Sequence, residues 1–225
     1  MTVIAAAHCL ECRSATAGLC DACASERRAQ EFARSELELD QRRAARELEW
    51  GRRGALVRVP HAWADDLATY EAAVTARHLR AVAERWSLER GSLLVLGPTG
   101  VGKTASVARA LRRLVRSASS PSDPILGVRW TTASALAHAR RRHPLGAGEA
   151  EEVALAIAAP VLVIDELGPE PLDAAIHDVL DARYARALVT ITTAGMRRAE
   201  LAARYGDATS RRMHAPHGSI VEVWA

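Results

Sequence analysis

Runs of consecutive aliphatic residues alternate in this chain with longer stretches where apolar residues recur every three or four positions. The runs at 93–96 and 161–164 each place four aliphatic residues in a row, and the second is typical of a strand buried on both faces of a parallel sheet. We predict further strands over 128–132, 187–193 and 219–224, and helices over 104–115, 133–142, 149–158 and 201–213. The sequence therefore predicts an α/β fold in which helices flank a parallel sheet.

Residues 25–50 are densely charged and contain neither glycine nor proline. Acidic and basic residues mix there at spacings of three and four, which predicts a solvated helix, and without a sustained apolar heptad we expect no coiled coil. The composition changes around residues 51–60, and the helical spacing of apolar residues over 65–88 predicts a pair of helices. We therefore divide the chain into a cysteine-rich module at 1–25, a charged linker helix at 26–54 and an α/β domain at 55–225.

All cysteines of the chain lie near its start, in two C-x-x-C pairs separated by seven residues: Cys9 and Cys12, then Cys20 and Cys23. Two such pairs match the ligands of tetrahedral zinc, whereas a redox dithiol needs only one pair and a chance cluster would leave cysteines elsewhere. Four thiolates leave no open coordination position, so we predict a structural zinc site in the module at 1–25. We interpret the adjacent His8 as a bystander.

Composition excludes few classes of protein. The formal net charge of +3 is too small to indicate nucleic-acid binding by itself. The longest apolar runs are far shorter than the roughly 20 residues that span a bilayer, and the first residues lack the basic and apolar segments of a signal peptide. We therefore expect a cytoplasmic protein without membrane contacts.

The strand predicted at 93–96 leads into a glycine-rich turn with the spacing G-x-x-x-x-G-K-T, and a predicted helix follows. This is the spacing of a phosphate-binding P-loop, in which backbone N–H groups and the helix dipole hold phosphate oxygens. The alternative is a turn without a ligand, but strand and helix both stand where a P-loop needs them. Lys103 would contact the outer phosphates and Thr104 would ligate magnesium. The predicted nucleotide-binding residues are Gly97, Pro98, Thr99, Gly100, Val101, Gly102, Lys103 and Thr104.

Lys103 is the only lysine in the chain. A coding bias toward arginine would explain the missing lysines but not the one that remains. The broad planar group of arginine replaces a compact ammonium poorly inside a phosphate-binding loop. The single lysine therefore supports a working nucleotide site.

A second motif, Asp165 followed by Glu166, ends a predicted buried strand. Ligands bind at the carboxyl ends of the strands in such sheets, which favours a Walker B motif over an acidic helix start. Asp165 would then hold magnesium, and Glu166 would orient and deprotonate the attacking water. The strand at 187–193 ends in hydroxyls that lie near this site in a P-loop fold; we assign the catalytic hydroxyl to Thr193, with Thr192 as the alternative.

With these motifs, the chain from about residue 55 onward resembles the AAA+ helicase loaders of the DnaC/IstB kind. The resemblance rests on GPTGVGKT at 97–104, VLVIDELG at 161–168, the Arg183–Tyr184 pair, ITT at 191–193 and RYGDATSRR at 204–212. It implies an AAA+ P-loop ATPase that uses ATP and magnesium and forms a homo-oligomer on ATP binding. Arg211 takes the place of the arginine finger that completes a neighbouring subunit's site. The asparagine that commonly follows the paired threonines is Ala194 here, and the Gly-x-Ser-x-Arg ending is missing.

The resemblance also implies a role in DNA replication, with binding to single-stranded DNA and, through the zinc module, to a replicative hexameric helicase. An IstB-like accessory ATPase for a transposase and a nucleotide-switched adaptor with little hydrolysis remain alternatives. Initiator-type AAA+ proteins insert a helix near the position of the predicted helix at 133–142. Its last residues, Arg140, Arg141 and Arg142, either contact DNA or form a solvated helix end that the dipole favours.

Overall fold

The computed structural model describes residues 21–60, 70–71, 74, 76–144, 146–171, 174–215 and 217–224. The chain divides into two compact units, with the boundary between Glu47 and Leu48. Cys9, Cys12 and Cys20 lie outside the described residues, as does residue 67 of the helix pair predicted at 65–88. None of the helices in the described ranges is long and apolar enough to cross a membrane.

The charged helix predicted at 25–50 is confirmed as α1, which spans Asp21–Arg58. In the first unit its exposed side chains form ion pairs between successive turns, such as Arg27–Glu31 and Arg34–Glu38, each at 3.7 Å. Pairs of this kind stabilise a helix by only a few tenths of a kcal/mol each. Their spacing is the pattern from which the helix was predicted.

In the second unit α1 continues past its predicted end because its last turns enter the core. Ala55 and Val59 are buried there. Nη1 of Arg112 donates hydrogen bonds to the backbone oxygens of Leu56 at 2.8 Å and Val59 at 3.1 Å. These bonds satisfy carbonyl groups at the C-terminal end of the helix, which lack a partner within it. The α/β unit therefore includes the end of α1 and starts earlier than the boundary predicted at residue 55.

The sheet has five strands in the order β2-β3-β4-β1-β5, and all four neighbouring pairs are parallel. This confirms the predicted α/β fold with a parallel sheet. Strand β4 lies between the P-loop strand β1 and the Walker B strand β3, as expected for a P-loop fold. The strands are β1 Leu93–Leu96, β2 Val128–Thr132, β3 Val161–Leu167, β4 Val189–Ala194 and β5 Ser219–Glu222.

The helices of the α/β unit follow the predicted pattern with three differences, of which the first is a helix at Ala174–Ala185 that was not predicted. The stretch predicted as one helix at 201–213 is two helices separated at Gly206, and the helix predicted from residue 149 begins at Glu151. The Glu149 carboxylate instead accepts the N–H of Ala150 at 2.9 Å and pairs with Arg140. The helices after α1 are α2 Arg77–Arg85, α3 Lys103–Ser117, α4 Ala133–Arg142, α5 Glu151–Ala158, α6 Ala174–Ala185, α7 Arg198–Tyr205 and α8 Asp207–Arg212.

Two hydrophobic cores cover the two faces of the sheet. Alternate residues of β1 point to opposite faces, so Val95 joins the core formed with the end of α1, α2 and α3. Leu94 joins the other core, formed with α4 to α7 and with Met213. Burial on both faces explains why β1 and β3 read as unbroken aliphatic runs rather than as alternating patterns.

Arg183, which contributed to the family resemblance, is a structural residue. Its side chain is fully buried. The guanidinium donates to the backbone oxygens of Ala156 at 2.8 Å, Ala159 at 2.6 Å and Val189 at 2.6 Å, and to Oγ1 of Thr190 at 2.9 Å. Burial lowers the pKa of Arg183 to about 10, so the group remains a cation at neutral pH. One side chain thus joins the end of α5 to the start of β4.

Candidate active site

A cleft of about 620 Å³ lies at the carboxyl ends of the central strands. Both sequence motifs and the end of β4 contribute to its walls, as expected for a ligand site in a parallel α/β sheet. The lining residues are Thr99, Gly100, Gly102, Lys103, Thr104, Ala105, Asp165, Glu166, Leu167, Gly168, Pro169, Thr193, Gly195 and Met196. Gly195 and Met196 were not predicted; their only sequence signal is that they follow directly after a strand.

The P-loop joins β1 to α3 through positions that only glycine fits. A Cβ atom on Gly97 would lie 2.8 Å from the backbone oxygen of Val223, so the loop needs glycine where β5 approaches. Gly102 adopts the left-handed conformation, with φ of 92°, and has no side chain to cap α3. The N–H groups in the first turn of α3 have no partner within the helix and are available to an anion such as phosphate.

Lys103 is bound by its own loop in this structure. Its Nζ atom donates hydrogen bonds to the backbone oxygens of Gly97 at 2.7 Å and Pro98 at 2.9 Å. Burial lowers the pKa of the Lys103 ammonium, while the charges of Asp165 and Glu166 act in the opposite direction. The ammonium therefore lies beside the cleft, already partly removed from water.

A bulge in β3 turns both Walker B carboxylates toward the cleft. Ile164 pairs with Thr192 and Leu167 pairs with Ala194, so two residues of β3 face one residue of β4 between these pairs. Regular alternation would send neighbouring side chains to opposite faces of the sheet. Glu166 has a φ of 63°, a conformation rare outside glycine, and its side chain is exposed. The extra residue therefore allows Asp165 and Glu166 both to line the cleft.

Thr193 is the β4 residue opposite the bulge, and its hydroxyl contacts both acidic residues. Its Oγ1 donates to Oδ1 of Asp165 at 2.5 Å and accepts the backbone N–H of Glu166 at 2.9 Å. Oγ1 of Thr104 donates to the same Asp165 oxygen at 3.1 Å. Burial raises the pKa of Asp165, while the hydrogen bonds from Thr193 and Thr104 lower it. The structure thus brings the predicted Walker A, Walker B and β4 residues together around one carboxylate.

The oxygen atoms of Thr104 and Asp165 fit a magnesium ion bound together with a nucleoside triphosphate. Thr104 Oγ1 and Asp165 Oδ1 are hard oxygen donors that lie 3.1 Å apart beside the phosphate-binding loop. The side chain of Thr192, the alternative to Thr193, is also buried, but its Oγ1 has no hydrogen-bond partner among the described residues. Thr192 does not line the cleft.

Of the remaining predicted residues, Gly97, Pro98 and Val101 belong to the P-loop but are not among the lining residues of the cleft. Arg211 is exposed at the end of α8 and is not among the lining residues. Cys23 lies in the first turn of α1, and the described part of the chain contains no group of three or more metal-ligating side chains. Because the other three cysteines fall outside the described residues, the zinc site stays a prediction.

Arg140 is already occupied by carboxylates. Its guanidinium forms ion pairs with Glu149 and with Asp178 on α6. The hydrogen bond with Glu149 is the main reason why the pKa of Arg140 is raised. Arg140 therefore has a structural role that neither hypothesis for the arginine triplet included, because its ion pairs join α4 to Glu149 and to α6. The side chains of Arg141 and Arg142 are exposed.

Comparisons with known proteins identify the family and the fold of this chain. The family model of IstB-like ATP binding proteins matches residues 18–212. The crystal structure of the DnaC helicase loader is 22% identical, with a TM-score of 0.50, over 71% of this chain and 92% of that chain. The crystal structure of DnaI is 21% identical, with a TM-score of 0.50, over 64% of this chain and 80% of that chain. No curated protein matches the sequence significantly. The fold is that of a P-loop AAA+ ATPase, and the chain belongs to the family of IstB-like ATP binding proteins.

Proposed function

We propose that this protein is a magnesium-dependent ATPase that helps to load a hexameric replicative helicase onto single-stranded DNA. The observation that supports the ATPase activity is the arrangement of Lys103, Thr104, Asp165, Glu166 and Thr193 at one cleft. Two further observations support the role in loading. The chain is similar to a structure described as a helicase loader, and a cysteine-rich segment precedes the ATPase unit.

Each residue has a separate task in hydrolysis. The P-loop N–H groups and the Lys103 ammonium bind the phosphates, and Thr104 and Asp165 hold magnesium, which neutralises phosphate charge when bound. Glu166 accepts a proton from water as the water oxygen bonds to the γ-phosphorus and the bond from that phosphorus to the β–γ bridging oxygen breaks. The products are ADP and inorganic phosphate. Thr193 holds Asp165 and the Glu166 backbone in place during this step.

The substitution Glu166→Gln tests the ATPase assignment. It removes the proton acceptor but leaves every phosphate ligand, so ATP affinity should stay the same and turnover should fall by about 100-fold or more. Glu152→Gln makes the same change at an exposed site on α5 and serves as the control. Hydrolysis by Glu166→Gln at the wild-type rate would remove Glu166 from the mechanism.

Arg211 is proposed to act on the nucleotide of a neighbouring subunit. Its exposed position outside its own cleft supports a role in a homo-oligomer rather than at its own site. Arg211→Ala protein would keep an intact cleft, and Glu166→Gln protein would keep an intact finger and still bind ATP. A mixture of these two inactive proteins should therefore recover ATPase activity, whereas neither recovers activity alone.

We further propose that Cys9, Cys12, Cys20 and Cys23 bind one zinc ion and that this module contacts the helicase. Replacing Cys20 by serine should release zinc and abolish helicase binding while ATP binding continues, because the ATPase cleft uses no residue of this segment. Metal analysis of protein purified without chelators measures the first effect. Protein without zinc that still binds the helicase would contradict this assignment.

Single-stranded DNA contact is proposed for Arg141 and Arg142, whose side chains are exposed at the end of α4. Substituting alanine for both should weaken DNA binding and flatten its dependence on salt concentration. Arg140→Ala is the control, because it removes the ion pairs that hold α4 against its neighbours but leaves Arg141 and Arg142 unchanged. The family match leaves a transposase partner as a second candidate, and direct binding assays with a hexameric helicase and with a transposase would separate the two.

A further inference from the structure

Glu170 is a buried carboxylate just beyond the Walker B strand, and none of the motifs includes it. Its side chain is 2% exposed. Oε2 accepts the backbone N–H of Gly168 at 2.8 Å. Gly168 lines the nucleotide cleft and lies two residues after Glu166. One oxygen of Glu170 thus supports the backbone that carries the water-activating residue.

The other oxygen of Glu170 binds the end of α7. Oε1 accepts the hydroxyl of Tyr205, which is itself buried, and lies 3.8 Å from Nη2 of Arg204. Arg204 also donates to the backbone oxygen of Glu170. The pKa of Tyr205 is raised, mainly by burial and next by its hydrogen bond to Glu170. The hydroxyl therefore remains a proton donor to the carboxylate at neutral pH.

Helix α8 follows Tyr205 after a single residue and carries Arg211 in its last turn. A further hydrogen bond, between Nδ1 of His177 and Oγ1 of Thr209 at 2.9 Å, holds α8 against α6. The Tyr205 end of this segment is therefore tied to the Walker B loop by the Glu170 side chain.

We propose that Glu170 is a positioning residue for ATP hydrolysis, which fixes Glu166 relative to the helical segment that presents Arg211. The proposal rests on the proposed ATPase function. Glu166 needs such support because its backbone has a φ of 63°, a conformation that persists only where surrounding contacts enforce it. Without the Glu170 carboxylate, the N–H of Gly168 or the hydroxyl of Tyr205 would lose its charged hydrogen-bond acceptor. The backbone at Glu166 could then relax.

A positioning role for Glu170 predicts different effects on the rate of ATP hydrolysis and on the affinity for ATP. Glu170 does not line the cleft, and its hydrogen bonds connect it to Gly168, Arg204 and Tyr205. Substitution should therefore change the rate of hydrolysis and leave the affinity for nucleotide alone. A residue that merely stabilised the fold would affect both together, or neither.

Full-length Glu170→Gln protein provides the test, with Glu152→Gln as the matched control. We expect kcat to fall about tenfold, because a charged acceptor is lost at two hydrogen bonds, while Kd for a non-hydrolysable ATP analogue changes by less than about twofold. Tyr205→Phe removes one of these bonds without changing the carboxylate and should lower kcat in the same direction. The control should match the wild type in both measurements.

A mixing experiment measures whether the contact between Glu170 and Tyr205 also affects the action of Arg211 on a neighbouring subunit. Glu166→Gln protein supplies the finger to Arg211→Ala protein, and adding Glu170→Gln to the Glu166→Gln chain should reduce the recovered activity. Wild-type protein without any ATPase activity would overturn the proposed function itself. Active wild-type protein combined with unchanged kcat in Tyr205→Phe, or with a parallel loss of affinity and kcat, would overturn the role of Glu170 alone. If Glu170→Gln does not fold, the Tyr205→Phe result decides.

Discussion

Thr193 Oγ1 lies 2.5 Å from Oδ1 of Asp165 and donates a hydrogen bond to it, while it accepts the N–H of Glu166. One hydroxyl on β4 therefore holds the proposed magnesium ligand and the backbone of the proposed base. This strand follows the Walker B strand in the chain and lies beside it in the sheet. The pairing makes Thr193, rather than Thr192, the better candidate for the catalytic hydroxyl.

Replacing Thr193 by valine should lower kcat by about tenfold or more. Valine keeps the shape of threonine but loses both hydrogen bonds, and a bond to a charged group contributes about 1.5–3 kcal/mol. Steady-state ATPase measurements at saturating magnesium determine kcat for the variant and the wild type. Thr192→Val is the matched control: that hydroxyl is buried without a hydrogen-bond partner among the described residues, so its loss should leave activity unchanged. Equal effects of the two substitutions would contradict the assignment.

Magnesium-dependent ATP binding should weaken on acidification at a higher pH than an ordinary aspartate would allow. Burial raises the pKa of Asp165, so protons compete with magnesium for this carboxylate above its usual range near about 3.9. Affinity should rise with pH and level off once Asp165 is ionised. The Thr193 hydrogen bond lowers the pKa, so Thr193→Val should move the acidic limb of the binding profile to still higher pH. Titration of binding against pH for both proteins checks the shift.

Lys103 should be labelled selectively by an amine-acylating reagent, because it is the only lysine in the chain. Burial lowers its pKa, which increases the fraction of reactive neutral amine at a given pH. MgATP should slow the labelling by about tenfold or more as the ammonium binds phosphate. Mass spectrometry reports the modified site, and Lys103→Ala protein shows what labelling of the amino terminus contributes. Labelling at the same rate with and without MgATP would place Lys103 outside the phosphate site.

Replacing Arg183 by methionine should destabilise the α/β unit by at least about 2 kcal/mol. Methionine fills similar space but leaves the buried oxygens of Ala156, Ala159 and Val189 without a donor, and each such group costs about 1–3 kcal/mol. Urea unfolding measures the difference, with Arg186→Met at an exposed site as control. An unchanged free energy of unfolding would mean that the cost of burying the cation cancels its hydrogen bonds.

The motifs allowed the sequence to predict the fold and most of the residues that line the cleft. The P-loop and the Asp165–Glu166 pair each combine a buried strand with residue types that few other folds need at that spacing. Strand β2 and helix α4 have the predicted bounds. In the structure the Thr132 side chain accepts the N–H of Ala135 and caps the start of α4. Helix α6 was not predicted, and the pattern over 201–213 did not indicate a break at Gly206.

Contacts between distant segments could not be predicted. Nothing local distinguishes Arg183, Arg140 or Glu170 from solvated residues in a chain rich in charges. Their roles arise when tertiary packing brings carbonyl groups, carboxylates or a tyrosine from other elements around them. The same holds for the bulge in β3, which depends on pairing with β4 and leaves no trace in the hydrophobic pattern.

That bulge means that the number of residues in β3 matters as much as their identity. Deleting one residue between Ile164 and Leu167 would restore regular pairing with β4, but it would also remove Asp165 or Glu166, because these are the two residues that form the bulge. Related chains should therefore tolerate exchanges of side chains along this strand far more readily than a change in its length. Insertions and deletions in β3 should therefore displace the Walker B carboxylates from the cleft.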